Sequence, residues 1–113
     1  MDSFYIITNM LKDKDLRITN EIRAYIESRG KRCVLCRKDA EGHIIPDTVP
    51  DDVECGLVLG GDGTLIRAVR DLGRRNLPLL GINLGTVGYL TDVELKDYPQ
   101  ALDRLFRCDP IVE

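Results

Sequence analysis

Leu57-Val58-Leu59-Gly60-Gly61-Asp62-Gly63-Thr64-Leu65-Ile66 decides the fold. Leu57 to Leu59 is a short continuous apolar run, the form of a strand buried on both faces. It passes directly into a glycine-rich turn. A helical pattern then begins, with Leu65, Ile66, Val69 and Leu72 on one side and Gly73 near its end. Strand, glycine turn and helix in that order form the building unit of a parallel sheet.

The flanking sequence repeats the unit. Phe4-Tyr5-Ile6-Ile7-Thr8 reads as a strand, being β-branched and aromatic. Ile18, Ile22, Tyr25 and Ile26 share one helical face; Asp13 or Asp15 is placed to cap its start, and Gly30 to end it in a left-handed conformation. Cys33 to Cys36 reads as a second strand. Leu79-Leu80-Gly81-Ile82 is another, feeding a second glycine-rich segment from Asn83 to Tyr89. Pro99 suits the first turn of a last helix carrying Ala101, Leu102, Leu105 and Phe106, and Ile111-Val112 reads as the start of a further strand. Only Arg37 to Glu54 resists this scheme. Gly42, Pro46, Pro50 and several acids leave Ile44 and Ile45 as its one apolar pair, so we expect a surface loop. The order predicts an α/β fold, a Rossmann-like three-layer domain with a mostly parallel sheet, over residues 1–113. Ligands of such folds bind at the carboxyl edge of the sheet, where both glycine-rich segments fall.

Composition narrows the function. The chain has 113 residues, 43% hydrophobic and 31% charged, which suits one domain with its own core. With 16 Lys and Arg against 19 Asp and Glu, the formal net charge is −3, opposite to the basic excess of nucleic-acid binders. No apolar run reaches the roughly 18 to 20 residues of a membrane span, and no leader pattern opens the chain. We therefore expect a cytoplasmic protein with reduced cysteines, and neither nucleic acid nor membrane as partner.

In the turn Gly60 to Thr64, glycines permit positive φ and let a ligand approach the main chain closely. The helix that follows offers N–H groups and the positive end of its dipole, which favour a phosphate. Asp62 would repel that phosphate. Its placement suits a proton acceptor, or a partner for a sugar hydroxyl or a metal ion; a plain helix-start aspartate is the structural alternative. Two known phosphate motifs are excluded by spacing. Gly63 is followed by Thr64 where a P-loop needs lysine, and Ile66 stands where the dinucleotide fingerprint needs glycine.

Gly-Gly-Asp-Gly-Thr at 60–64, followed by Gly-Ile-Asn-Leu-Gly-Thr-Val-Gly-Tyr-Leu-Thr at 81–91, resembles the N-terminal domain of the NAD kinases from the first strand to the last helix. Diacylglycerol, sphingosine and phosphofructo-kinases have loops similar to the first motif. The second favours NAD kinase. The resemblance implies transfer of a phosphoryl group from ATP or polyphosphate, with Mg2+, to the 2′-hydroxyl of the adenosine ribose of NAD. Asp62 matches the aspartate that takes that hydroxyl's proton. Gly61 and Gly63 match the residues that leave room for substrate, and Thr64 and Arg67 match positions facing phosphate. Arg67 read alone is also an ordinary exposed helix charge. Asn83, Gly85 and Tyr89 resemble the second wall of the NAD pocket; relatives usually have phenylalanine at Tyr89, where a core tyrosine is the alternative.

The family has a second, mostly β domain and a downstream Asn-Glu or Asn-Asp motif. Neither is in this sequence, which reads as an inactive or weakly binding fragment of a homo-oligomer, a dimer or tetramer. Two alternatives remain: a related lipid or sugar kinase, and a non-catalytic nucleotide-binding module. No metal site is expected. Cys33-x-x-Cys36 has a suggestive spacing, but residues three apart in a strand face opposite ways and His43 is the one histidine.

Overall fold

The computed structural model describes residues 1–9, 11–73, 75–84 and 93–107. Among them, β1 (Ser3–Thr8), β2 (Arg32–Leu35), β3 (Cys55–Gly60), β4 (Leu79–Asn83) and β5 (Val93–Glu94) form one sheet in the order β2-β1-β3-β4-β5. Every pairing is parallel, with Phe4 beside Cys55 and Gly60 beside Asn83. The helices are α1 (Arg17–Ser28), α2 (Asp62–Leu72) and α3 (Tyr98–Phe106).

Successive strand residues alternate between two faces, and both faces are covered. Phe4, Ile6, Leu57, Leu59 and Ile82 pack with Ile22 and Ile26 of α1 and Leu102 and Leu105 of α3. Tyr5, Ile7 and Val58 pack on the other side with Ala68 and Leu72 of α2. The three layers match the expected fold. β5 was not expected. It is two residues long and paired only at its register with Ile82 and Asn83, too short to leave an apolar run in the sequence.

The crossover from β2 to β3 contains no α-helix among its described residues. It holds a single-turn 3-10 helix at Pro46–Thr48 and one antiparallel bridge, Lys38 with Ile44. Ile44, Val49 and Val53 are buried against the α2 side of the sheet. Val49 and Val53 were not expected in the core; with no α-helix in the crossover, the segment itself helps α2 cover the strands.

The expected face of α2 holds in part: Leu72 is buried and Leu65 packs against the core, but Ala68 joins them and Ile66 and Val69 are 46% and 53% exposed. Both stripes obey a 3.6-residue period.

Gly30 ends α1 as expected, with φ +75°; its N–H reaches Glu27 O at 3.0 Å and that of Lys31 reaches Ile26 O at 3.2 Å. At the other end the cap is Asp13, not Asp15. Leu16, the residue before the helix, is left-handed and offers no side-chain cap. Asp13, 3% exposed, accepts Ile18 N at 2.9 Å, Thr19 N at 2.7 Å and Thr19 Oγ1 at 2.6 Å. Burial raises its carboxyl value, but the hydrogen bonds from Thr19, Ile18 and Arg17 outweigh that and hold it below the ordinary one. A lowered value means stability that is present above about pH 4 and lost as the pH falls through the folded-state value. Asp13→Asn turns an amide toward those donors and is expected to cost about 1–3 kcal/mol at pH 7. Urea midpoints for the variant and parent should converge progressively below about pH 4; a gap independent of pH would remove the carboxylate from the account.

Candidate active site

β1 and β3 are neighbours, yet the chain leaves them in opposite directions, β1 toward β2 and β3 toward β4. Loops that part at such a switch point open a crevice at the carboxyl edge. A cavity of about 700 Å³ lies there. Its walls are the loop after β1, the hairpin after β2 and the first turns of α2.

The α2 wall is the Gly60–Thr64 turn. A Cβ at Gly60 would stand 2.5 Å from Thr64 Oγ1 and 3.1 Å from Asn9 Cβ, so only glycine lets the three approach. Positive φ is not what the turn uses. The described glycines with positive φ are Gly30 and Gly42, and Gly61 is extended at φ −119°, ψ −165°. These glycines provide space, and the expected left-handed geometry is absent. Asp62 is the first residue of α2, half-buried and on the cavity wall, at the helix end that favours a negative charge. Gly63 meets no atom within 4 Å of a Cβ and opens on the same space.

Thr64 accepts the Asn9 amide at 3.2 Å, which leaves its own proton for another acceptor. Arg67 is exposed, one turn along α2, and lines the cavity beside Gly42; its Nη1 lies 3.8 Å from a Cβ built there. Gly61, Asp62, Gly63, Thr64 and Arg67 are thus brought together. Asn83 ends β4, 7% exposed, beside Gly60 and outside the lining of this cavity. Gly85 and Tyr89 lie outside the described residues.

Sequence reasoning missed the other two walls. Asn9 and Lys12 follow β1, and Lys38 and Asp39 follow β2; all four line the cavity. The available signal was their place at strand ends beside the switch point. The hairpin had a further signal, Asp39 and Gly42 at the first and last positions of a turn. Gly42 N donates to Asp39 O at 3.0 Å, and the Asp39 carboxylate accepts Glu41 N at 2.9 Å and His43 N at 3.0 Å. The His43 N–H bond chiefly holds that carboxyl below its ordinary value. Asp71 of α2 fastens the hairpin by accepting Ile44 N at 3.1 Å, with His43 Nδ1 at 3.3 Å.

Cys33 and Cys36 belong to opposite faces, Cys33 in the α1 cluster and Cys36 against the α2 cluster. Burial pushes the Cys33 and Cys55 thiols up to about 12, and raises Cys36 as well. All three resist forming the thiolates that metal or redox chemistry needs. Among the described residues no three His, Cys, Asp or Glu side chains are grouped to hold a metal ion, and no helix is long and apolar enough to cross a membrane.

This geometry can be set beside known proteins. Residues 5–110 match the model of the ATP-NAD kinase N-terminal domain. The NAD kinase of Lachnospira eligens is 40% identical over 116 residues, covering 96% of this chain and 39% of that protein. The NAD kinase of Agathobacter rectalis is 42% identical over 109 residues, covering 93% and 38%. The crystal structure of yeast NADH kinase complexed with NADH shares the fold, with a TM-score of 0.71 at 18% identity over 95% of this chain and 38% of that one. The chain spans about two-fifths of the length of these curated relatives. With residues 5–110 matched by the family model and relatives about 40% identical over nearly its whole length, the chain belongs to the ATP-NAD kinase N-terminal domain family.

Proposed function

We propose that this domain supplies the base and a phosphate-binding wall of an NAD kinase, which phosphorylates the 2′-hydroxyl of the adenosine ribose of NAD to give NADP. The observation that carries the reading is Asp62, held on the first residue of α2 at the wall of a cavity large enough for a nucleotide. A secondary hydroxyl attacks poorly while it keeps its proton. A carboxylate positioned to take it contributes about 10² to 10⁴-fold. As the ribose oxygen bonds to the donor's terminal phosphorus, the bond from that phosphorus to the bridging oxygen breaks. The bond's electron pair leaves with the shortened phosphate chain, and the hydroxyl proton passes to Asp62. Thr64, Arg67 and the first N–H groups of α2 orient the phosphates; alignment and charge compensation do the rest.

Magnesium is proposed to arrive on the donor's phosphates, where it would neutralise the charge that develops during transfer. ATP and polyphosphate are the proposed donors. Asn83, Gly85 and Tyr89 are proposed for the far wall of the NAD site. The remaining domain of the family and a homo-oligomeric assembly in the cytoplasm complete the proposal. The test is the full-length protein with NAD and either donor, following NADP and locating the new phosphate by phosphorus NMR. A 2′-phosphate on the adenosine ribose supports the reading; phosphorylation of a lipid or free sugar without NADP overturns it.

A further inference from the structure

Of the charges lining the cavity, Lys38, Asp39 and Asp71 are committed, whereas Lys12 and Arg67 make no ion pair among the described residues. The Lys38 ammonium donates to Thr8 O at 2.9 Å, and the Asp39 and Asp71 carboxylates hold the hairpin's backbone. Lys12 has no ion pair among the described residues, although acids pair with Arg23, Lys31, Arg32, Arg75 and Lys96. Its Nζ instead rests against the glycine turn, 3.1 Å from where a Cβ of Gly61 would stand.

The surrounding loop is built to keep its backbone there. Asn9 N donates to Leu59 O at 2.8 Å, and Asn9 O accepts Lys12 N at 3.0 Å and Asp13 N at 3.1 Å. Asn9 Oδ1 accepts Leu11 N at 3.0 Å, while Nδ2 reaches across to Thr64 Oγ1 at 3.2 Å. The buried Asp13 carboxylate, one residue on, pins the loop to α1. A single asparagine therefore ties the lysine loop to the Gly60–Thr64 turn.

An ammonium beside the positive end of a helix is disfavoured by the dipole. Here Lys12, the α2 N-terminus and Arg67 converge on one cavity against a single carboxylate at that helix end, Asp62, and the positive excess favours a further anion between them. We propose that Lys12 binds the phosphate being transferred, the terminal phosphate of the donor, across Gly61 and the first turn of α2. The assignment rests on the kinase reading above. The site is the donor's and not the pyrophosphate of NAD, because Gly61 adjoins Asp62, where hydroxyl and phosphorus must meet. The pyrophosphate of NAD leaves the ribose from its 5′ carbon, away from the 2′-hydroxyl. During transfer the ammonium offsets charge on the non-bridging oxygens, while the proton still goes to Asp62.

Steady-state kinetics of the full-length protein test this, with ATP and NAD varied in turn. Lys12→Ala is expected to lower kcat/KM for ATP by about 10²-fold, the scale for losing one charge-stabilising donor. KM for NAD and the thermal midpoint should not move, since the side chain is exposed. Lys12→Arg should restore a large part of the loss and Lys12→Gln should not, which a merely structural role would not produce. A loss confined to KM for NAD, or parental kinetics in Lys12→Ala, overturns the assignment. A parent protein that makes no NADP with either donor overturns the kinase reading itself.

Discussion

Asp62→Asn in the full-length protein is expected to lose about 10² to 10⁴-fold in kcat, the range over which a positioned base contributes. NAD should still bind. Asparagine keeps the size and shape of the side chain at the first residue of α2, so the cavity wall stays in place. What it lacks is a site for the proton. The substitution also removes a favourable charge from the helix N-terminus, about 0.3–1 kcal/mol, too little to unfold the domain. NADP formation measured beside calorimetric titration of NAD separates the two effects. Turnover near the parent rate would take Asp62 out of the chemistry. Lost NAD affinity with kcat preserved would make it a ribose ligand instead of a base.

Much of this site was legible because one sheet edge concentrates it. Short apolar runs at 4–8, 57–59 and 79–82 read as strands buried on both faces. The glycines after Leu59 then mark where a helix must start and a ligand can approach. The left-handed Gly30 was legible for the same local reason. Contributions from afar were not. Asn9 matters because β1 lies beside β3, and neither its neighbours in sequence nor its side chain announce that it will bond to Thr64. The rotation of α2 is another such case. Ile66 and Val69 looked like core by hydrophobicity, but α2 is turned so that Ala68 goes inward with Leu65 and Leu72. Val49 and Val53 are buried because the β2–β3 crossover, which carries no α-helix among its described residues, packs back against the sheet and α2. Local chemistry is written in the sequence; pairing and rotation are decided by what the strands bring together.

The turn's glycines separate folding from function, and two substitutions should show it. At Gly60 the atoms in the way belong to Thr64, whose Cβ would lie 2.8 Å from the added methyl, and to Asn9. Thr64 Cβ is fixed to the helix backbone and cannot swing aside as the end of a long side chain would. Gly60→Ala must therefore push α2 from β3 or break the Asn9–Thr64 bond. Overpacking of this kind costs about 1–3 kcal/mol, read as a fall of about 2–4 °C in thermal midpoint per kcal/mol for a protein larger than one small domain. NADP formation should fall with it, because the same shift moves Asp62. At Gly63 the methyl meets open space, and alanine favours a helix over glycine by about 0.5–1 kcal/mol. Gly63→Ala should melt at or slightly above the parent temperature, yet form NADP more slowly, because the methyl occupies room that substrate needs. Equal melting of Gly60→Ala and parent would mean that α2 and β3 tolerate separation, and the close approach at Gly60 would then have no structural consequence. Full activity in Gly63→Ala would place the phosphates elsewhere in the cavity, off the first turn of α2.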